Sequence, residues 1–433
     1  MSLLNDNDME TVNETFLKAY NILNDPSERF IFLTGRAGTG KTTLLKYFAE
    51  HTYQRCVLCA PTGLAALNLG GQTLHSFLRL KPNDLLMPGH FKKLPKKVIE
   101  NFDVLIIDEA SMLRADMLDA ADAILKKSAQ NNKPFGGKKV ILCGDLWQLP
   151  PVLEEDNLDF LAYFKMIYKS PYFFDALCMN GEFLKVFELK HNFRQSEDNG
   201  FAELLNKIRS NEISRRELDF YLNTERALSA PKDESVVTLT ATNYDAQARN
   251  GYLLSRLPGK AFSYNAEFTE TFNKKTPPAD KILTLKKGSK IMMLVNDEYW
   301  VNGDIGFVED LGPDYIRVNI RGGVYSVEPH TWQEIKYEVL PGSDKLTPVV
   351  KGSFTQYPLK LAWAITIHKS QGLTFDSICL DMGRGAFAAG QTYVALSRGR
   401  SLNGVYLKKP LSQSDIKTDP RVVDFFKKYL KEY

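Results

Sequence analysis

"FIFLTGRAGTGKTT", residues 30–43, decides the fold. An apolar run of strand length feeds a glycine-rich loop, and the loop "GRAGTGKTT" (35–43) opens a helix in the pattern G-x-x-x-x-G-K-[ST]. Glycines at this spacing let backbone N–H groups approach phosphate oxygens, and the helix N-terminus adds positive partial charge. The candidate nucleotide contacts are therefore Gly35, Ala37, Gly38, Thr39, Gly40, Lys41, Thr42 and Thr43. Lys41 is expected to reach the β- and γ-phosphates, and Thr42 to hold Mg²⁺. A purely structural glycine loop is the alternative, and the strand–loop–helix context argues against it. The pattern specifies a nucleoside triphosphate and leaves open what its energy does.

The segments around the loop repeat its rhythm. "RCVLCA" (55–60), "DVLIID" (103–108) and "KKVILCGD" (138–145) are continuous apolar runs separated by amphipathic stretches such as "RADMLDAADAILKKSAQ". That alternation predicts a parallel sheet covered by helices on both faces. A second block of the same kind comes in two pieces, "ESVVTLTATNYDAQARNGYLL" (234–254) and "DSICLDM" (376–382) with "NGVYLKK" (403–409). Between about 258 and 352, short alternating segments broken by Gly, Pro, Asn and Asp predict antiparallel structure, a small barrel inserted in the second α/β domain. The fold class read from this pattern is α/β, and 433 residues is enough for two to four domains.

Further polar groups stand at predicted strand ends. "VLIIDEASM" (104–112) closes a buried strand with two carboxylates. Asp108 is placed to order Mg²⁺ and Glu109 to deprotonate an attacking water, although a "DE" pair can also be a plain acidic helix cap. In "GDLWQLPPV" (144–152), Gln148 is a candidate γ-phosphate contact, with a polar turn before two prolines as the alternative. "ELKHNFRQ" (188–195) and "YVALSRGR" (393–400) carry Arg194 and Arg398, candidates for the positive charge that phosphoryl transfer draws from a neighbouring unit. "AITIHKSQGLTFDS" (364–377) crowds Thr366, His368, Lys369, Ser370 and Gln371 together before Gly372; alone, it reads as a solvated helix end.

The totals remove several classes. A net charge of +3 excludes a uniformly basic coat for nucleic acid but permits a local basic channel. No apolar run approaches the ~20 residues of a membrane span. The acidic start "MSLLNDNDME" is unlike a secretory or mitochondrial leader, so a cytoplasmic location is expected. Five cysteines suggest no disulfide framework. Cys56 and Cys59, three apart on a predicted strand, point to opposite faces and make a poor metal pair.

Taken in order, "GRAGTGKTT", "APTGLAALNLGGQTLHSF" (60–77), "LIIDEASM", "GDLWQLPPV", "ELKHNFRQ", "AITIHKSQGLTFDS" and "YVALSRGR" resemble the superfamily-one DNA helicases, and within them the Pif-type enzymes related to RecD-type helicases. "QNNKPFGGKKVILCGDLWQLPPV" (130–152) resembles the stretch that sets Pif-type enzymes apart. The resemblance implies two RecA-like domains with ATP and Mg²⁺ in the cleft between them, a small insertion in the first and an SH3-like β-barrel in the second. The boundaries it implies are 1–182 for domain one, with a wedge-type insertion around 64–100, 183–257 and 353–433 for domain two, and 258–352 for the barrel. It implies an ATP-dependent helicase moving 5′ to 3′ on single-stranded DNA, acting on tailed or forked duplexes, with G-quadruplexes and RNA–DNA hybrids as further substrates in the family. A bacterial-type monomer, or a dimer on DNA, is the expected form.

By the same resemblance, Pro61, Thr62, Gly63, His75, Ser76 and Phe77 face DNA from domain one. His191, Asn192, Thr366, His368, Lys369, Ser370 and Gln371 do so elsewhere, and Gly372 joins the nucleotide contacts with Gln148, Arg194 and Arg398. Phe77 would stack on bases. Phe91 or Met87 in "LRLKPNDLLMPGHFKKLPKKV" (78–98) could tip a strand-splitting wedge or pack down onto the domain. The family's adenine-reading glutamine upstream of the loop has no counterpart in "LNDNDMETVNETF". The competing functions are a translocating ATPase that does not unwind and a nucleotide-dependent regulatory switch.

Overall fold

The computed structural model describes residues 6–80, 86, 91–153, 158–180, 184–191, 193, 198–229, 236–269, 272, 277–339 and 346–430. Six strands form the first sheet: β1 (Phe30–Gly35), β2 (Cys56–Ala60), β3 (Gln72–Thr73), β4 (Val104–Ile107), β5 (Lys139–Gly144) and β6 (Lys185–Leu189). They are all parallel, in the order β3-β2-β4-β5-β1-β6. Their apolar runs are continuous because alternate residues enter two different cores. Ile31, Leu33, Val104, Ile106, Ile141 and Cys143 pack with Ala19, Leu44 and Phe48 under the helices Asp6–Asn24 and Lys41–His51. Phe30, Phe32, Leu105, Ile107, Val140 and Leu142 join the larger core on the other side. Cys59 belongs to the larger core and Cys56 lies against the smaller one, on opposite faces, and both are free thiols.

The sheet corrects one boundary. Lys185–Leu189 pairs in parallel with β1, Ile31 opposite Lys185 and Gly35 opposite Leu189, so domain one runs through 189 and does not stop at 182. A five-residue apolar strand fits the edge of either sheet, and only pairing decides between them.

Domain two opens with helices Asn199–Arg209, Arg215–Tyr221 and Glu225–Leu228, then β7 (Val237–Thr240) and the helix Asn243–Arg256. The insertion follows: β8 (Phe262–Asn265), β9 (Glu267–Phe268), β10 (Ile282–Leu285), β11 (Lys290–Met293), β12 (Ile305–Leu311), β13 (Ile316–Ile320), β14 (Gly323–Val327), β15 (His330–Val339), β16 (Leu346–Gln356) and β17 (Leu359–Leu361). Among the described residues all of its pairings are antiparallel, in sheets ordered β14-β13-β12-β11-β17, β10-β8 and β15-β16-β9. Tyr264, Leu283, Ile291, Val308, Val318 and Leu359 share a core separate from the two described above. Its end moves from 352 to 361, because β17 completes the five-stranded sheet against β11. The chain then returns to domain two through β18 (Ala364–Thr366), β19 (Ile378–Asp381) and β20 (Val405–Leu407), parallel in the order β18-β7-β19-β20.

The large core continues from domain one into domain two, where Trp147 stacks on Phe426 with ring centroids 5.6 Å apart and planes 3° from parallel. The β15–β16 hairpin reaches back to domain one, and β15 packs against the helices Gly63–Leu69, Leu74–Phe77 and Lys96–Glu100.

Candidate functional site

The glycine loop has the conformation its sequence requires. Gly38 and Gly40 sit at φ +83° and +76°, a region that costs other residues strain. Lys41 Nζ donates to the carbonyls of Gly35 (2.8 Å) and Arg36 (2.9 Å), which turns the ammonium into the loop. Thr39 and Ala37 are buried, whereas Thr43 is exposed.

Thr42 Oγ1 donates to Asp108 Oδ2 at 2.8 Å, bringing together two residues 66 positions apart that the sequence motifs mark as Mg²⁺ ligands. A hydroxyl and a carboxylate are hard oxygen donors of the kind Mg²⁺ takes, so the pair fits that ion. Next to them Glu109 holds φ +52° and ψ 44°, a left-handed backbone outside glycine and a strain met at functional sites. Burial first, then the Asp108 carboxylate, pushes its pKa up to about 7, against the pull of Lys41 and Arg398.

Domain two closes the cleft. Gly390, at φ +72°, comes so near the loop after β5 that a Cβ on it would stand 2.3 Å from the Trp147 carbonyl oxygen. Arg398 follows the helix Gln391–Leu396 and is 1% exposed. Its guanidinium donates to the carbonyls of Val394, Ser370 and Leu373 and to Ser397 Oγ. Burial draws its pKa down to about 10, which leaves it cationic near neutrality. Gln148 is buried at the same junction and accepts a hydrogen bond from Gln371 Nε2 at 3.3 Å. Arg194 and Asn192 lie outside the described residues.

The residues expected to face DNA separate into several kinds. Thr62 caps the helix Gly63–Leu69 by accepting from Ala65 N, and Pro61, Thr62, Gly63, His75 and Ser76 are half-buried. Thr366 is buried, with its hydroxyl accepting from Lys369 N, while Lys369 and Gly372 are exposed and His368 is half-buried. Two side chains cannot play the expected part here. Phe77 is 5% exposed and packs edge-on to Phe102, so its face is closed to bases. Ser370 is fully buried, donating to the Ile367 carbonyl, and serves as a brace for the Arg398 turn.

The wedge reading also changes. Phe91 is buried in the large core, and its carbonyl accepts from Lys127 Nζ, so it packs down and does not tip a wedge. Met87 lies outside the described residues. His191 is moved as well: its ring meets Phe193 edge-on, and Phe193 N donates to the Gly38 carbonyl at 2.9 Å, beside the glycine loop.

Two features escaped the sequence reading. Phe16 and Phe193 stand edge to face at 6.2 Å and flank Gly40, an apolar wall at the loop that no spacing rule announces. Lys360 lines a cavity of about 250 Å³ with Lys369, Gln371, Asn68, His330 and Trp332, where both domains and the insertion meet. Burial and the Lys369 charge bring its pKa down to about 8.

Comparison with known proteins fits this arrangement. The sequence profile of the PIF1-like helicases matches residues 7–218. ATP-dependent DNA helicase Pif1 of Bdellovibrio bacteriovorus is 32% identical over 92% of the chain and 88% of its own length. The chain belongs to the PIF1-like helicase family. The mouse ATP-dependent DNA helicase PIF1 is 34% identical over 92% of the chain, which spans 60% of that relative's length. Among solved family members, Bacteroides Pif1 in complex with ADP-AlF4 superposes with a TM-score of 0.86 at 34% identity, covering 97% of both chains. Bacteroides Pif1 bound to single-stranded DNA gives 0.69 at equal coverage, and a structure of two coordinating Pif1 helicases at forked duplex DNA gives 0.67 at 35% identity. Among the described residues, no helix is long and apolar enough to cross a membrane.

Proposed function

We propose that the chain is an ATP-dependent DNA helicase that moves 5′ to 3′ along single-stranded DNA and unwinds tailed or forked duplexes. One observation carries the reading: Gln371, in the segment assigned to DNA, is hydrogen-bonded to Gln148, in the segment assigned to the γ-phosphate. A motor needs such a junction, where the state of the nucleotide is felt by the residues beside the strand.

In this reading Lys41 and the loop N–H groups bind the triphosphate, and the Phe16–Phe193 wall takes the face of the base. Thr42 and Asp108 would hold Mg²⁺, which when bound offsets phosphate charge. Glu109, whose raised pKa places it near the working pH, takes a proton from water as the water oxygen attacks the γ-phosphorus and ADP leaves. Arg398 and Arg194 balance the charge that builds on the transferred group. Lys369, His368, Thr62 and Ser76 contact the DNA backbone without regard to sequence, with Lys360 as a further cation. G-quadruplexes, RNA–DNA hybrids and pairing of two copies on a fork belong to the same proposal.

Steady-state ATP hydrolysis with and without oligo-dT tests it. Strong stimulation by the oligonucleotide, lost in Lys41→Ala, is expected. Hydrolysis indifferent to DNA would favour a nucleotide switch.

A further inference from the structure

Where the loop after β5 meets domain two, buried side chains form a hydrogen-bonded chain that the mechanism above leaves unused. Tyr393, in the helix Gln391–Leu396, is 4% exposed. Its hydroxyl donates to Asp145 Oδ2 at 3.2 Å and accepts the Ala37 N–H of the glycine loop at 3.4 Å. On its other oxygen, Asp145 accepts from Arg209 Nη2 at 3.1 Å, and Arg209 Nη1 stands 3.7 Å from Glu188 Oε1. Asp145 and Glu188 belong to domain one, and Arg209 and Tyr393 to domain two. The Arg209 guanidinium also lies over the Trp147 ring.

The same helix leads to Arg398. Arg398 lies five positions after Tyr393, and its Nε donates back to the Val394 carbonyl at 2.8 Å. The guanidinium therefore has little freedom relative to Tyr393, and Gly390 fixes the helix start against the Trp147 and Gln148 carbonyls. Asp145 keeps Arg209 as a partner if the phenol is lost, but the glycine loop then has no tie to this helix through Tyr393.

We propose that Tyr393 is a positioning residue for ATP hydrolysis, its hydroxyl tying the glycine loop to the helix that carries Arg398 and so setting where that guanidinium meets the γ-phosphate. The inference rests on the reading of the cleft as an ATPase site. Tyr393→Phe removes one oxygen and keeps the buried ring, so it isolates the tie from the packing. Displacing a catalytic group by an ångström costs on the order of a hundredfold.

The test uses the full chain with Mg-ATP and saturating oligo-dT. Tyr393→Phe should lower kcat roughly tenfold to a hundredfold, with KM for ATP and affinity for ADP within about twofold of the parent. In an Arg398→Ala background the same change should alter kcat by less than about twofold, because the group being positioned is gone. A merely structural hydroxyl would lower the melting temperature equally in both backgrounds and would not produce this loss of additivity. Unchanged kcat in Tyr393→Phe, or a full further loss in the Arg398→Ala background, overturns the proposal. Absence of DNA-stimulated hydrolysis in the parent protein would instead overturn the reading of the cleft.

Discussion

Glu109 shows how one side chain bears on both stability and turnover. Its pKa is raised from 4.5 to about 7 in the fold, so the folded state holds more protons than the unfolded chain across that window. Stability therefore falls as pH rises from about 4.5 to 7, and the penalty stays constant above. Glu109→Gln should stabilise the nucleotide-free protein at pH 8, because the neutral amide is spared the cost of burying a carboxylate beside Asp108. The gain should vanish below pH 4.5, as read by thermal melting across pH. The same substitution should cut ATP turnover by about two or more orders of magnitude while ADP still binds. Near-normal turnover would remove Glu109 as the base. Lys360 gives a second dependence on pH. It is cationic below about 8, so a phosphate contact there is complete at pH 7 and is lost as pH rises past 8. Oligo-dT affinity should weaken between pH 7 and 9, up to about tenfold for one pH unit above the free pKa. Lys360→Gln should flatten that dependence, and an identical profile in the variant would place Lys360 outside the DNA path.

At the scale of elements, the sequence was most legible where chemistry is local. The positive φ of Gly38 and Gly40, the lysine and the threonine lie within a few residues, so the loop's shape is written in its spacing. The alternation of Phe30 to Leu33 between two cores follows from strand period alone. Burial that depends on distant partners was not legible. Phe77 reads as an exposed aromatic until Phe102 packs against it, and Phe91 joins the same large core; Ser370, whose carbonyl accepts from Arg398 28 residues on, is buried although its neighbours in sequence are polar. The C-terminal end of the insertion is hidden for a related reason, since β17 looks like the approach to β18 until it pairs with β11. This sets how a deletion must be cut. Replacing 259–361 by a short linker removes whole sheets, whereas cutting at 350 divides β16. The longer deletion should keep ATP hydrolysis without DNA and lose most stimulation by oligo-dT. Loss of nucleotide binding in a folded deletion would contradict the placement of the cleft.

At the scale of the whole molecule, two parallel sheets aim their loops into one cleft, and the insertion spans from domain two back to domain one through β15. The junction of Gln148 with Gln371, the Asp145 chain and the continuous core give the two domains a shared mechanical unit. Nucleotide chemistry in this cleft is expected to drive directed movement along DNA. Strand displacement on matched duplexes, one with a 5′ single-stranded tail and one with a 3′ tail, decides whether it does. With Mg-ATP the protein should release the labelled strand from the 5′-tailed duplex alone, and Lys41→Ala should release none. Equal release from both tails, release without ATP, or no release beside vigorous DNA-stimulated hydrolysis would mean that the cleft does not power directed unwinding.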